Sequence, residues 1–153
     1  MKYGTEHFNF LAPSLTLPTE KKLLMEMMMR EDENSFWIIK PPGKNNGQGI
    51  RLINNHRDIP DGDSFVQRYI RNPFLIEGKK FDLRVYVLVT GVDPLRIYVY
   101  NEGLVRFATE DYTNDPRLIG DARIHVTNYD VNKDSDKFVV NDRPEEPEGH
   151  KWT

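Results

Sequence analysis

Cysteine is absent from these 153 residues, so the chain has neither a disulfide framework nor a thiolate metal site. That suits a reducing compartment. No apolar run reaches membrane-spanning length, and no basic-then-apolar leader is legible in the first residues. Positive charge is not in excess: 21 Lys and Arg against 24 Asp and Glu leave −3, which disfavours bulk binding of nucleic acid. Internal repeats are missing too. What is present reads as a folded domain with a modest core, since 29% of residues are charged and 38% hydrophobic.

The charge is uneven. Residues 1–35 carry 4 basic and 6 acidic groups, hence −2; residues 36–106 carry 11 and 7, hence +4; residues 107–153 carry 6 and 11, hence −5. The middle is therefore the better home for a phosphate or an acidic partner. It also holds the organising stretch, Gly78-Lys79-Lys80-Phe81-Asp82-Leu83-Arg84-Val85-Tyr86-Val87-Leu88-Val89, which reads as one long strand. Residues two apart share a face of a strand. Phe81, Leu83, Val85, Val87 and Val89 make one apolar face, and Lys80, Asp82, Arg84 and Tyr86 make the other. Two cations flanking a carboxylate suit a bound polyanion such as a nucleotide triphosphate. A solvated face with cross-strand ion pairs has the same pattern.

The chain in order begins with an irregular lead-in over 1–18, broken at Pro13 and Pro18. Thr19 suits the cap of a helix from Glu20 to Arg30, with Leu23, Leu24, Met27 and Met28 as its apolar stripe. Ser35–Lys40 reads as a buried strand stopped by Pro41-Pro42. The loop Gly43-Lys44-Asn45-Asn46-Gly47-Gln48-Gly49 follows, then a short strand Ile50–Ile53. Such a hairpin can fold as a flap over phosphates or serve as a plain turn. It is not a Walker A loop, because Lys44 precedes Asn45 and no helix follows; His56-Arg57-Asp58 lacks the rest of the kinase catalytic set. A short helix over 55–59, a Pro60–Asp63 turn and a strand over Ser64–Ile70 come next. Gln67 can read an adenine edge or simply face solvent. Residues 80–108 read as a three-stranded meander with a second turn at Asn101-Glu102-Gly103, and Arg106 near its end can join the face of Arg84. His125 reads as structural. Asp130–Glu148 reads as polar and exposed.

These pieces, taken in order, resemble a known family. They are Trp37-Ile38-Ile39-Lys40-Pro41-Pro42, Gly47-Gln48-Gly49-Ile50, Val66-Gln67-Arg68-Tyr69-Ile70, the Gly78–Val87 strand, Pro94–Tyr98, Glu102–Ala108, His125-Val126-Thr127-Asn128-Tyr129 and Gly149-His150-Lys151-Trp152-Thr153. From Phe8 to Thr153 the chain is similar to the central part of the tubulin tyrosine ligase-like enzymes, nearest to the polyglutamylase branch. Any one piece is weak; the ordered set is specific.

The resemblance implies an α+β, ATP-grasp-like fold, mainly antiparallel sheet with a few helices and incomplete at both ends. Residues 1–35 would close an N-terminal or linker region, 36–70 would form the glycine-loop subdomain, and 71–153 would begin the C-terminal subdomain. The implied activity is that of an ATP-dependent acid–amino-acid ligase. It activates a carboxylate as an acyl phosphate and joins an amino acid, glutamate foremost, to glutamate side chains of the tubulin C-terminal tail. The implied cofactors are ATP and Mg2+. The implied partners are tubulin or microtubule tails and free glutamate, with no nucleic acid and no membrane, for a monomer located at cytoplasmic microtubules, cilia or basal bodies.

Carried over by motif, Lys40 meets ATP phosphate beneath a lid of Gly47 and Gly49, and Gln67, Arg68 and Ile70 line the adenine pocket. Lys80 and Asp82 hold phosphate and ribose, Arg84 faces the γ-phosphate or the reacting carboxylate, and Arg106 stabilises the acyl-phosphate charge or the substrate carboxylate. Thr127 and Asn128 lie beside the phosphates and the amino-acid site. The family's magnesium ligands, an Asp and a Glu-x-Asn pair, lie downstream of the Gly-His-Lys-Trp motif, past Thr153. The expectation is therefore a central piece that is catalytically incomplete alone. A non-catalytic nucleotide- or tubulin-binding module, or a truncated relic of such a ligase, is the alternative.

Overall fold

The computed structural model describes residues 6–31, 35–141, 143 and 148–153. The chain divides into two units, Met1–Pro73 with Thr113–Ala122, and Phe74–Tyr112 with Arg123–Thr153.

The first unit is built on a four-stranded antiparallel sheet. Its strands are β1 (Ser14–Leu17), β2 (Trp37–Lys40), β3 (Arg51–Ile53) and β4 (Ser64–Arg68), in the order β1-β4-β2-β3. β1 lies in the stretch expected to be irregular. Its flanking prolines hide a short alternating tract in which Leu15 and Leu17 are buried while Ser14 and Thr16 are exposed, as a one-sided edge strand requires. Helix α1 (Lys21–Arg30) covers the sheet through Leu24, which is fully buried, with Met25, Met27 and Met28 packed alongside; Leu23 is turned to solvent. Leu24 joins Leu15, Leu17, Trp37, Ile39, Ile53, Ile59 and Val66 in one core. Each large apolar side chain so buried contributes roughly 1.5–3 kcal/mol. The cap of α1 differs from expectation. Position Glu20, not Thr19, precedes the helix, and its carboxylate accepts from the backbone N–H of Thr16 at 2.6 Å instead of from the helix's own amides.

The second unit is organised by the expected long strand, β6 (Lys79–Val92), in a sheet ordered β5-β6-β7-β8 with β5 (Leu75–Ile76), β7 (Leu95–Asp111) and β8 (Lys151–Trp152). The three-stranded meander is replaced by one long hairpin. Asn101-Glu102-Gly103 does not turn the chain but continues β7. Val85 pairs with Gly103 and Val87 with Val99, so β6 advances two residues while β7 advances four, and the extra pair is a bulge. Gly103 marks close backbone approach, since a Cβ there would stand 2.7 Å from the Arg84 carbonyl oxygen. A second bulge of the same count lies between Phe107 and Asp111, opposite Phe81 and Lys79.

Two short helices follow, α2 (Ala122–His125) and α3 (Tyr129–Asn132). His125 is buried and meets Tyr112 edge-on at 5.7 Å, in keeping with a structural role. The stretch 130–148, expected to be exposed, is in part built in: Asn132 and Ser135 are buried, and the Phe138 ring stacks on His150 at 5.4 Å. Residues 142 and 144–147 of that stretch lie outside the described residues. Aromatic rings tie the unit together: Phe81 meets Phe107 at 5.8 Å, and Phe107 meets Trp152 at 4.5 Å. The class is α+β, with mainly antiparallel sheets and few helices.

Candidate functional site

Within the first unit, alternation sorts the candidate residues onto two faces. Trp37, Ile39 and Val66 point into the core, so Lys40, Phe65 and Gln67 share the opposite, open face. There Lys40 Nζ donates to Gln67 Oε1 at 3.0 Å and sits 5.6 Å from the centre of the Phe65 ring. Gln67 Nε2 in turn donates to Ser14 Oγ at 3.0 Å, so both ends of the amide are engaged. A partly exposed lysine held by an amide over an aromatic ring is ready to meet an anion lying on that sheet. Arg68 belongs to the other face and pairs with Glu31 at 3.3 Å, so the structure does not bring its side chain to Lys40 and Gln67. Ile70 is exposed. Gly47 and Gly49 both have positive φ, 86° and 72°, in a loop closed by Gln48 N–H to Asn45 carbonyl at 3.0 Å and Ile50 N–H to Gly47 carbonyl at 3.2 Å. The expected hairpin is real, since β2 and β3 pair antiparallel on either side of this loop.

Within the second unit, the polar face of β6 is used as its spacing suggests, with one addition from β7. Arg106 stands directly opposite Asp82 and binds it as a fork, Nε to Oδ1 at 2.9 Å and Nη2 to Oδ2. Both groups are only partly exposed. These hydrogen bonds raise the Arg106 pKa above its ordinary value, and burial opposes them. Asp82 thus spends both oxygens aiming the guanidinium. Lys80 Nζ donates to the His125 carbonyl at 2.8 Å, tying β6 to the loop that leads into Thr127 and Asn128. Arg84, exposed, lines a cleft of about 360 Å³ together with Glu102 and Leu104.

A cavity of about 190 Å³ joins several of these groups. Arg106, Thr127, Asn132, Phe138, His150 and Lys151 are among its lining residues. Its walls are mainly apolar, with a fixed cation at one edge, which is a setting where a carboxylate or phosphate oxygen feels charge strongly. Asn128 precedes α3 and uses its backbone carbonyl, not its side chain, to meet Asn132. The structure therefore brings together Lys40 with Gln67, and Arg106 with Asp82 and, at the cavity, with Thr127. Sequence reasoning assigned no role to Asn132, Tyr129 or Phe138, and it quoted His150 and Lys151 only as parts of a motif. An asparagine in a polar run gives no sign of being fully buried. Among the described residues no three His, Asp or Glu side chains gather as a metal site.

The chain is 41% identical over 152 residues to tubulin monoglutamylase TTLL4 of Homo sapiens, covering 99% of this chain and 13% of that protein. It is 42% identical over 153 residues to tubulin polyglutamylase TTLL5 of Homo sapiens, covering 99% of this chain and 12% of that protein. It is 42% identical over 142 residues to tubulin polyglutamylase TTLL6 of Mus musculus, covering 91% of this chain and 17% of that protein. The chain thus spans between 12% and 17% of the length of these relatives. The sequence profile of the tubulin-tyrosine ligase family matches residues 1–153, and the chain belongs to that family.

Proposed function

We propose that this chain forms the nucleotide-binding part of an ATP-dependent ligase that joins an amino acid, glutamate foremost, to glutamate side chains of the tubulin C-terminal tail. The observation that carries the reading is the Asp82–Arg106 fork beside the Thr127 cavity, in a chain whose relatives are named as tubulin glutamylases. The division into 36–70 and 71–153 as the two ATP-grasp subdomains, and a place at microtubules, belong to the same proposal.

ATP supplies activation of a carboxylate as an acyl phosphate. The residues of this chain contribute binding, orientation and charge. On the open face of the first sheet, Lys40 presents its ammonium to a phosphate, Gln67 offers an amide to adenine, and Gly47 and Gly49 let the loop backbone approach closely. Ile70 flanks the adenine in the segment after β4, while the Arg68 side chain stays on the other face with Glu31. In the second unit, Lys80 and Asp82 serve phosphate and ribose, with Asp82 acting chiefly by holding Arg106. Arg106 and the exposed Arg84 neutralise negative charge that grows on the reacting carboxylate or the γ-phosphate. Thr127 and Asn128 border the amino acid. Mg2+ has no ligand set among the described residues, so no role here is assigned through it.

The test is calorimetric titration of the chain with Mg·ATP, beside Lys40→Ala and Lys80→Ala. The expected result is saturable binding, weakened at least about tenfold in each variant, the scale of one charge-assisted hydrogen bond. A chain that is folded by circular dichroism yet takes up no nucleotide would overturn the reading.

A further inference from the structure

We infer that Asn132 is a positioning residue for the amino-acid site, locking the loop that carries Thr127 and Asn128 to the bulge of β7. The inference rests on the functional reading above and deepens it at the Thr127 cavity.

The bulge between Phe107 and Asp111 takes Thr109 out of the strand ladder. A buried backbone group left without a ladder partner is destabilising unless something else bonds it. Thr109 is fully buried, and side chains satisfy both of its backbone groups. Its N–H donates to Asn132 Oδ1 at 2.9 Å, and its carbonyl accepts from Lys79 Nζ at 3.1 Å. Its hydroxyl donates to the same Oδ1 at 2.9 Å. From the other end of the amide, Nδ2 donates to the Val126 carbonyl at 2.8 Å and to the Asn128 carbonyl at 2.9 Å. Asn132 is itself fully buried and makes four bonds, the full complement this amide can use here. Backbone N–H can only donate and a carbonyl can only accept, so the orientation of the amide is fixed.

The two carbonyls that Nδ2 holds bracket Thr127. With the His125 carbonyl taken by Lys80, three of the four carbonyls from 125 to 128 are pinned, and the Thr127 side chain is left lining the cavity beside Arg106. One amide thereby sets the distance between β7, which carries Arg106, and the loop that carries Thr127. Asn132 lines the same cavity but acts through Thr127 and Asn128, because its polar atoms are all spent on the protein. A residue that only held the fold together would bear on stability alone; one that sets this distance bears on the substrate between the two walls.

Asn132→Asp keeps the shape and the acceptor but turns the donor end into an oxygen facing two carbonyls. Thr109→Val keeps the shape and removes only the hydroxyl donor. Both are assayed by steady-state ligation of glutamate to a tubulin tail peptide, in the protein at its full expressed length, with melting midpoints measured in parallel. For Asn132→Asp the expected result is a glutamate KM raised about tenfold or more with the ATP KM within about twofold. Thr109→Val should move the glutamate KM the same way by a smaller factor. The Asn132→Asp defect should also shrink as pH falls, because a protonated carboxyl regains one O–H donor for the carbonyls. If Asn132→Asp does not fold, Thr109→Val decides alone. Variants that melt earlier but keep the glutamate KM and its pH profile would overturn the inference and leave Asn132 a structural residue. A wild-type protein that binds Mg·ATP yet ligates no glutamate would overturn it together with the amino-acid reading. A wild-type protein that binds no nucleotide would overturn the functional proposal at its root.

Discussion

His150 shows how one side chain records its surroundings. Its Nδ1 accepts from the Val139 N–H at 3.0 Å, its ring stacks on Phe138, and it is largely buried. Burial, and next the charge of Lys79, push its pKa below the ordinary 6.5. The native state therefore binds fewer protons than the unfolded chain once the pH drops under that value, so this group's contribution is present above about 6.5 and is lost as the pH falls through the lowered native pKa. His150→Asn keeps an acceptor for Val139 N–H and removes the titration. Melting midpoints compared at about pH 7.5 and about pH 5.5 should fall more for the wild type than for this variant. Equal slopes would show that His150 does not carry the pH dependence. Arg106 illustrates the opposite case, a cation whose charge its carboxylate partner reinforces. Its position opposite Asp82 is invisible in the sequence, because the pairing register depends on the irregularities between it and the hairpin turn, at Val89/Gly91 and Val85/Val87.

At the scale of elements, the hairpin of β6 and β7 separates what local pattern can tell from what it cannot. Period-two alternation put Lys80, Asp82 and Arg84 on one face, and the structure keeps them there because β6 pairs without a register shift from Phe81 to Val85 and the extra residues beside it lie on β7. The same reasoning turned the chain at Asn101-Glu102-Gly103. Asn and Gly favour turns and bulges alike, and only the partner strand decides between them. Asn132 was illegible for a related reason: a buried, fully bonded amide has the same letters around it as a solvated one. Gly103 makes the strand assignment testable. Gly103→Ala drives a methyl against the Arg84 carbonyl, where the only relief is movement of backbone. The expected loss of stability is about 1–3 kcal/mol in urea unfolding. Gly62→Ala meets nothing within 4 Å and should stay within about 0.5 kcal/mol of the wild type. Similar small effects at both sites would mean that Gly103 lies in an open turn after all.

For the molecule as a whole, the distribution of apolar surface is the property that sequence pattern leaves open. Leu83, Val85, Val87 and Val89 read as one apolar face, and these side chains are all half exposed or more, as are Leu88, Ile97, Tyr98, Val99 and Tyr100. The buried apolar side chains of the second unit lie instead near Phe107, Ala108, Ile124 and Val126. Alternation reports that a strand has two unlike faces; which one is covered depends on elements elsewhere. Among the described residues this ribbon carries exposed apolar side chains on both faces, and apolar area left in water gains about 25 cal/mol for every Å² it loses on contact. Val87 and Val99 are directly paired across the ribbon, 54% and 61% exposed. Replacing them together, Val87→Lys with Val99→Glu, sets opposite charges across the strands and leaves the net charge of the chain unchanged. The expected outcome is weaker binding of an apolar dye and less self-association at high concentration by sedimentation, with stability moved by no more than about 1 kcal/mol. A double variant that instead unfolds would show that these valines are covered in solution, and the ribbon would have to be counted as core.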